Sequence, residues 1–335
     1  MRRRHDIPAG EVRTLRVESD MLARNMLGDP VARDVHVYLP PGHPGEGLPL
    51  LVDLAGFTGS GAAHANWKNF GENLPERLDR LIHEGALPPV VVAMPDCFTR
   101  LGGNQYIDSA AMGPWAGWLT GPMLRAVEAT FGCGGEGRRG VFGKSSGGYG
   151  ALMHAMRHPD VWSAAACHSG DMAFELCYLP DMPQALRALA KAGSVEDWLT
   201  GFEAGPKFAG GGIHVLMTLA MAATYDPDPG SFCGIRLPVD METCEVIPER
   251  WEAWLEHDPV VAAPAHVPAL KEMKALWIEC GRVDQFNLLY GARRLTRLLK
   301  AAGVAHVYEE FDDNHSSIDY RLDQSLPVLV RALQS

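Results

Sequence analysis

Apolar positions along the chain fall into two patterns. Over "EVRTLRVES" (11–19) and "RDVHVYLPP" (33–41) they recur at every second residue, the spacing of strands with one buried face. Pro40 and Pro41 end the second run, because proline has no N–H for the ladder. "LPLLVDLAG" (48–56) and "PPVVVAMPD" (88–96) are short and continuously apolar, as in strands covered on both faces of a parallel sheet. Between them "NLPERLDRLIHEG" (73–85) has helical spacing and stops at a glycine. The alternation continues with helix over 121–132, strand over 139–145, helix over 147–159 and strand over 162–170. It resumes with strand over 274–281, helix over 286–303, strand over 304–311 and a closing helix over 325–333. Repeated strand–helix units predict an α/β fold, a mainly parallel sheet with helices on both faces.

Residues 171–256 break this rhythm. They hold "DMPQALRALAKAG", the glycines at 210–212, the apolar helix "IHVLMTLAMAA" (213–223) and the turn-rich "DPDPG" (226–230). The reading is one core in two parts, 1–170 and 257–335, with an inserted helical cap at 171–256. The apolar helix is too short to span a bilayer. No apolar stretch follows the N-terminal arginines as a signal peptide would require. Among 335 residues, 41 acidic against 30 basic side chains give a net charge of -11, which argues against a nucleic-acid partner. The only dense basic run, Arg2-Arg3-Arg4, reads as a frayed terminus. Seven cysteines without a C-x-x-C pair argue against a disulfide framework or a zinc site. The expectation is a reduced, cytoplasmic protein, with homo-oligomerisation left open.

Candidate chemistry sits at "FGKSSGGYGAL" (142–152). Read as G-x-S-x-G, it is Gly143-Lys144-Ser145-Ser146-Gly147. The motif alone is weak, but here a strand precedes it and a helix follows. That context is needed to hold a serine hydroxyl above a sheet on a tight turn. Gly143 and Gly147 remove the Cβ atoms that would clash across such a turn. Ser145 is therefore the candidate nucleophile, and Ser146 offers its backbone N–H.

Serine needs a base to take its proton. In this strand–turn–helix context the acid follows one late strand and the histidine the next. Asp284 follows the strand ending at Gly281, and His315 follows the strand ending at Phe311. Asp312 and Asp313 remain alternative acids, though two or three residues from His315 is a poor distance for orienting it. An oxyanion hole needs two preorganised donors. The Ser146 N–H supplies one, and the glycine-rich loop after "LLVDLAG" supplies the other. Phe57 is the choice there, with a shift of one residue left open.

These segments resemble the α/β-hydrolase "putative esterase" family, which includes esterase D (S-formylglutathione hydrolase), the enterochelin esterases and the mycolyltransferases. "RDVHVYLPPG", "DLAGFTGSG", "GKSSGGYGAL", "CGRVDQF" and "NHSSIDYR" carry the resemblance. Ala55-Gly56 stands where the family often has His-Gly. The resemblance implies a serine carboxylester hydrolase with Ser145, Asp284 and His315 as its triad, an acyl-enzyme, and no metal or organic cofactor. The expected partner is a small-molecule ester with a small or medium acyl or aromatic group. An acyltransferase or thioesterase with the same triad is the alternative, and a silent ligand-binding hydrolase fold is a further one. The loop 97–115 is expected to wall the pocket. Gly56, Tyr106, Trp115, His168 and, from the cap helix, Met217 are the candidate substrate contacts.

Overall fold

The computed structural model describes residues 6–207 and 210–335, so Arg2-Arg3-Arg4 lies outside the described residues. Eight strands form the central sheet: β1 (Glu11–Glu18), β2 (Ala32–Leu39), β3 (Leu50–Leu54), β4 (Val91–Pro95), β5 (Arg139–Lys144), β6 (Ala164–His168), β7 (Ala275–Gly281) and β8 (Val307–Phe311). Their order is β1-β2-β4-β3-β5-β6-β7-β8. β2 runs antiparallel to both of its neighbours, and every other pair is parallel. The two sequence patterns have distinct outcomes. The alternating β1 is an edge strand with most positions exposed. The continuously apolar β3 and β4 are buried at every residue.

Helices cover both faces. On one, α1 (Leu74–His83) and, at the chain's end, Leu322–Gln334 pack on Leu51, Val92, Phe142, Ala166 and Trp277. A capping box starts α1: the Asn73 side chain accepts from Glu76 N–H, and the Glu76 carboxylate accepts from Asn73 N–H. This satisfies two N–H groups that the first turn leaves unpaired. The other face carries α2 (Leu124–Phe131), α3 (Ser146–Arg157) and the helices of residues 171–256. The longer of those are α4 (Met182–Ala192), α5 (Val195–Ala204), α6 (Gly212–Tyr225) and α7 (Pro248–Leu255). Then come α8 (Pro259–Lys271), α9 (Leu288–Ala301) and the closing helix, now α10. α8 lies against α3 and α9. The sequence pattern did not predict it, because Pro264 and Pro268 interrupt the helical signal.

Among its described residues the insertion adds no strand to the sheet. It is joined to the core by a continuous aromatic cluster. Phe174, Tyr178, Tyr225 and Trp254 meet ring to ring at 4.8–6.0 Å, and Tyr149 of α3 reaches Phe174 and Tyr225. The apolar α6 is buried from Leu219 through Tyr225, so it is an interior packing helix. Among the described residues no helix is long and apolar enough to cross a membrane. All seven cysteines are free thiols.

His154 gives the core a sensitivity to acid. It is buried in α3, its Nδ1 accepting from the Trp162 indole N–H at 2.9 Å and its Nε2 donating to the Tyr106 carbonyl at 2.8 Å. A second ring proton would face an indole that can only donate. Burial first, then neighbouring His158, push the imidazole pKa down to about 3. An unfolded histidine titrates near ~6.5, so between that pH and about 3 the unfolded chain holds the extra proton. The stability from His154 is present above the unfolded value and is lost as the pH falls through this window. Urea titrations from pH 7 to 4 are expected to show His154→Gln with a shallower fall in unfolding free energy. The difference in slope should approach about 1.4 kcal/mol per pH unit.

Candidate active site

The turn from β5 into α3 puts Ser145 in a backbone conformation of φ 59° and ψ -126°. Such a conformation costs a non-glycine residue about 1–3 kcal/mol and persists only where its surroundings hold it. Here Ser145 N–H donates to the His168 carbonyl at 3.0 Å, and the Ser145 carbonyl accepts from Tyr149 N–H at 2.9 Å. The glycines make this approach feasible. A Cβ on Gly147 would lie 1.8 Å from the Leu54 carbonyl oxygen, and one on Gly143 2.4 Å from the same atom.

His315 and Asp284 converge from the loops after β8 and β7. The Nδ1–H of His315 donates to Asp284 Oδ2 at 2.7 Å, with the Asp284 side chain fully buried. Asp284 also accepts from Phe286 N–H at 2.9 Å, and Gln285 Oε1 accepts from His315 N–H at 3.0 Å. The Phe286 ring stands edge-on to the imidazole, 4.8 Å between centroids. The two other carboxylates are engaged elsewhere. Asp312 pairs with Arg282 at 2.6 Å, and Asp313 accepts from the Tyr320 hydroxyl at 3.1 Å. A carboxylate bound at Nδ1 fixes the neutral tautomer with a free lone pair on Nε2, the state a general base requires.

The loop after β3 passes beside the elbow, and a Cβ on Gly56 would lie 3.7 Å from Ser145 Cβ. Among the described residues neither the Phe57 N–H nor the Ser146 N–H, the first of α3, is taken by an acceptor. The loop's two flanking carbonyls are held. Tyr106 hydroxyl donates to the Ala55 carbonyl at 2.6 Å, and Gly103 N–H donates to the Phe57 carbonyl at 2.9 Å. One donor from this loop and one at the N-terminus of α3 are the equipment for stabilising an oxyanion.

The remaining sequence candidates are scattered. Tyr106 is buried, with φ 61° next to Gln105 at φ 58°, and it packs over Gly150. Trp115 is also interior: its indole donates to the Met112 carbonyl at 2.8 Å and the Arg33 guanidinium sits 4.9 Å over its ring. His168 points to the α1/α10 face, its Nδ1 on Glu279 at 2.8 Å and its Nε2 on the Ser325 hydroxyl at 3.1 Å. Met217 is half-buried against the core.

One neighbour of the elbow escaped sequence reasoning. Asp171, just past the end of β6, is buried, and its Oδ2 accepts from Gln105 Nε2 and the Tyr178 hydroxyl, both at 2.9 Å. The Ser146 hydroxyl is 3.5 Å from the same oxygen. Burial raises the Asp171 carboxyl above the usual range. Its place at the C-terminal end of a parallel strand was the available signal.

Residues 30–327 match the family described as "Putative esterase". The chain belongs to this esterase family. Membership makes it a carboxylic ester hydrolase. Comparison with curated proteins gives no match in sequence. Solved structures similar to it include a ferulic acid esterase, at 18% identity and TM-score 0.60, covering 98% of this chain and 100% of that one. An S-formylglutathione hydrolase from Staphylococcus aureus matches at 14% identity and TM-score 0.58, covering 96% and 99%. A ferulic acid esterase from Anaeromyces mucronatus matches at 11% identity and TM-score 0.55, covering 98% and 94%. At these identities the likeness speaks for the fold, and it is the α/β-hydrolase fold expected from the sequence.

Proposed function

We propose that this esterase works through Ser145 as nucleophile, His315 as general base and acid, and Asp284 as the partner that orients the imidazole. The observation that carries the reading is the 2.7 Å bond from His315 to the buried Asp284, together with the φ of 59° at which the turn from β5 into α3 holds Ser145. His315 takes the Ser145 proton as the hydroxyl attacks the ester carbonyl. The Phe57 and Ser146 amides bind the tetrahedral oxyanion. His315 then protonates the departing alcohol, leaving an acyl-Ser145, and activates the water that releases the acid. The substrate is an ester of a small or medium acyl or aromatic acid. Phe286 beside His315 supports an apolar flank, and the similar structures named ferulic acid esterases point the same way.

Rapid mixing with p-nitrophenyl acetate tests this. A burst of one p-nitrophenol per chain is expected, with the acetyl group recovered on the peptide containing Ser145. Recovery of the acetyl group on another side chain would refute the assignment. Added methanol reads the acceptor: acetic acid as the main product indicates a hydrolase, and methyl acetate as the main product a transferase.

Tyr106 takes the role of positioning the oxyanion loop, in place of a pocket wall. Its hydroxyl bonds the Ala55 carbonyl one peptide before the one that carries the Phe57 N–H. Tyr106→Phe is expected to lower kcat about 10-fold with KM changed little, the pattern of an interaction felt in the transition state. Steady-state kinetics on one ester reads the split, and a rise in KM alone would assign Tyr106 to substrate binding.

A further inference from the structure

A cavity of about 190 Å³ lies behind the oxyanion loop, on the α1/α10 side of the sheet. Gly56, Thr58 and Gly59 form its rim. Phe142, Leu74, Ile318 and Leu322 give it an apolar lining, and Lys144, the residue before Ser145, also lines it. Strand alternation explains the position. Phe142 and Lys144 face this side of β5, whereas Val141 faces α3.

Among the described residues Lys144 is the lining lysine or arginine without an ion-pair partner. Three carboxylates line it, and each has a basic partner: Asp53 has His64, Asp319 has Lys68, and Glu72 has the Arg80 guanidinium at 2.8 Å with Arg77 farther off at 3.9 Å. Among the described residues Lys144 has no hydrogen bond and no ion pair within 4.0 Å. Burial lowers its ammonium pKa, opposed by the more distant charges of Asp319 and Asp284. A half-buried ammonium without a partner is a cost that a bound anion would offset.

We propose that this cavity is a binding site for a small monocarboxylate, its carboxylate on Lys144 and its apolar body against Phe142, Leu74, Ile318 and Leu322. The unpaired Lys144 ammonium selects an anionic group that one cation can hold, such as a single carboxylate. The apolar lining selects an organic acid over an inorganic anion. A void of about 150 Å³ holds a benzene ring, so benzoate fits the space. The site is separate from the Ser145 hydroxyl and does not depend on the catalytic reading. Its shared wall at Gly56 couples occupancy to the loop that carries the Phe57 N–H.

Calorimetric titration of the full chain with benzoate, and with benzamide as its uncharged counterpart, tests the proposal. Saturable binding of benzoate and none of benzamide is expected, unchanged in Ser145→Ala. Lys144→Met should weaken benzoate about tenfold or more, and Lys144→Arg should largely retain it. The ammonium gains a partner, so binding near pH 9 should take up protons, measured by comparing buffers of different ionisation enthalpy. That reading is made on the wild type and holds even where the methionine variant folds poorly. Absence of benzoate saturation, equal affinity in a folded Lys144→Met, or loss of binding in Ser145→Ala would each overturn the site. The last two would move the acid to the catalytic centre. Proton uptake and the Lys144 dependence stand whether or not Ser145 proves to be the nucleophile.

Discussion

Ser145→Ala is expected to lower kcat for a p-nitrophenyl ester about 10⁶-fold, with KM near the wild-type value. The alanine keeps the elbow: its Cβ occupies the same place, and the glycines that admit the turn are untouched. Folding is therefore expected to survive, and thermal melting should confirm it. What disappears is the Ser145 hydroxyl at the elbow. Any remaining turnover would come from water acting in the field of the Phe57 and Ser146 amides, about 10³–10⁴-fold above the uncatalysed rate. Ser146 cannot substitute, because its buried hydroxyl lies 3.5 Å from Asp171. Wild-type activity in the folded variant would refute the mechanism.

Asp284→Asn carries the second largest expected effect, a fall in kcat of about 10⁴-fold. The carboxylate accepts two hydrogen bonds, from His315 Nδ1–H and from Phe286 N–H. An asparagine oxygen that keeps the Phe286 bond turns its NH₂ toward His315. That NH₂ can only donate, so Nδ1 must accept and the ring proton moves to Nε2. The atom that should take the serine proton is then already protonated. Asp313→Asn serves as the comparison and should change kcat less than about twofold, because its carboxylate is occupied by Tyr320 at the surface. Side-by-side kinetics of the two variants read the assignment. A reversed order would transfer the acid's role to Asp313.

The backbone of the fold was legible because its strands are of two kinds. Half-buried β2 alternates and fully buried β3 and β4 do not, so periodicity separates them without homologous sequences. The elbow was legible for a steric reason: Gly143 and Gly147 stand where any Cβ would strike the Leu54 carbonyl. α8 was hidden by its own prolines, whose effect on the helix is offset by packing on α3 and α9. The pocket-wall reading of Tyr106 and Trp115 met a different obstacle. A loop mixing polar and aromatic residues looks exposed, yet consecutive left-handed residues at Gln105 and Tyr106 fold it inward. Asp171 and Lys144 are single charged residues whose environment depends on three or more separate chain segments. Local pattern carries no record of such convergence.

The central claim is that one hydroxyl, that of Ser145, is activated by His315. The most direct measurement is reaction of the full chain with a fluorophosphonate, followed by intact mass and peptide mapping. One adduct per chain is predicted, on Ser145, with labelling slowed by orders of magnitude in His315→Ala. An adduct on Ser146, or equal labelling rates with and without the His315 imidazole, would contradict it.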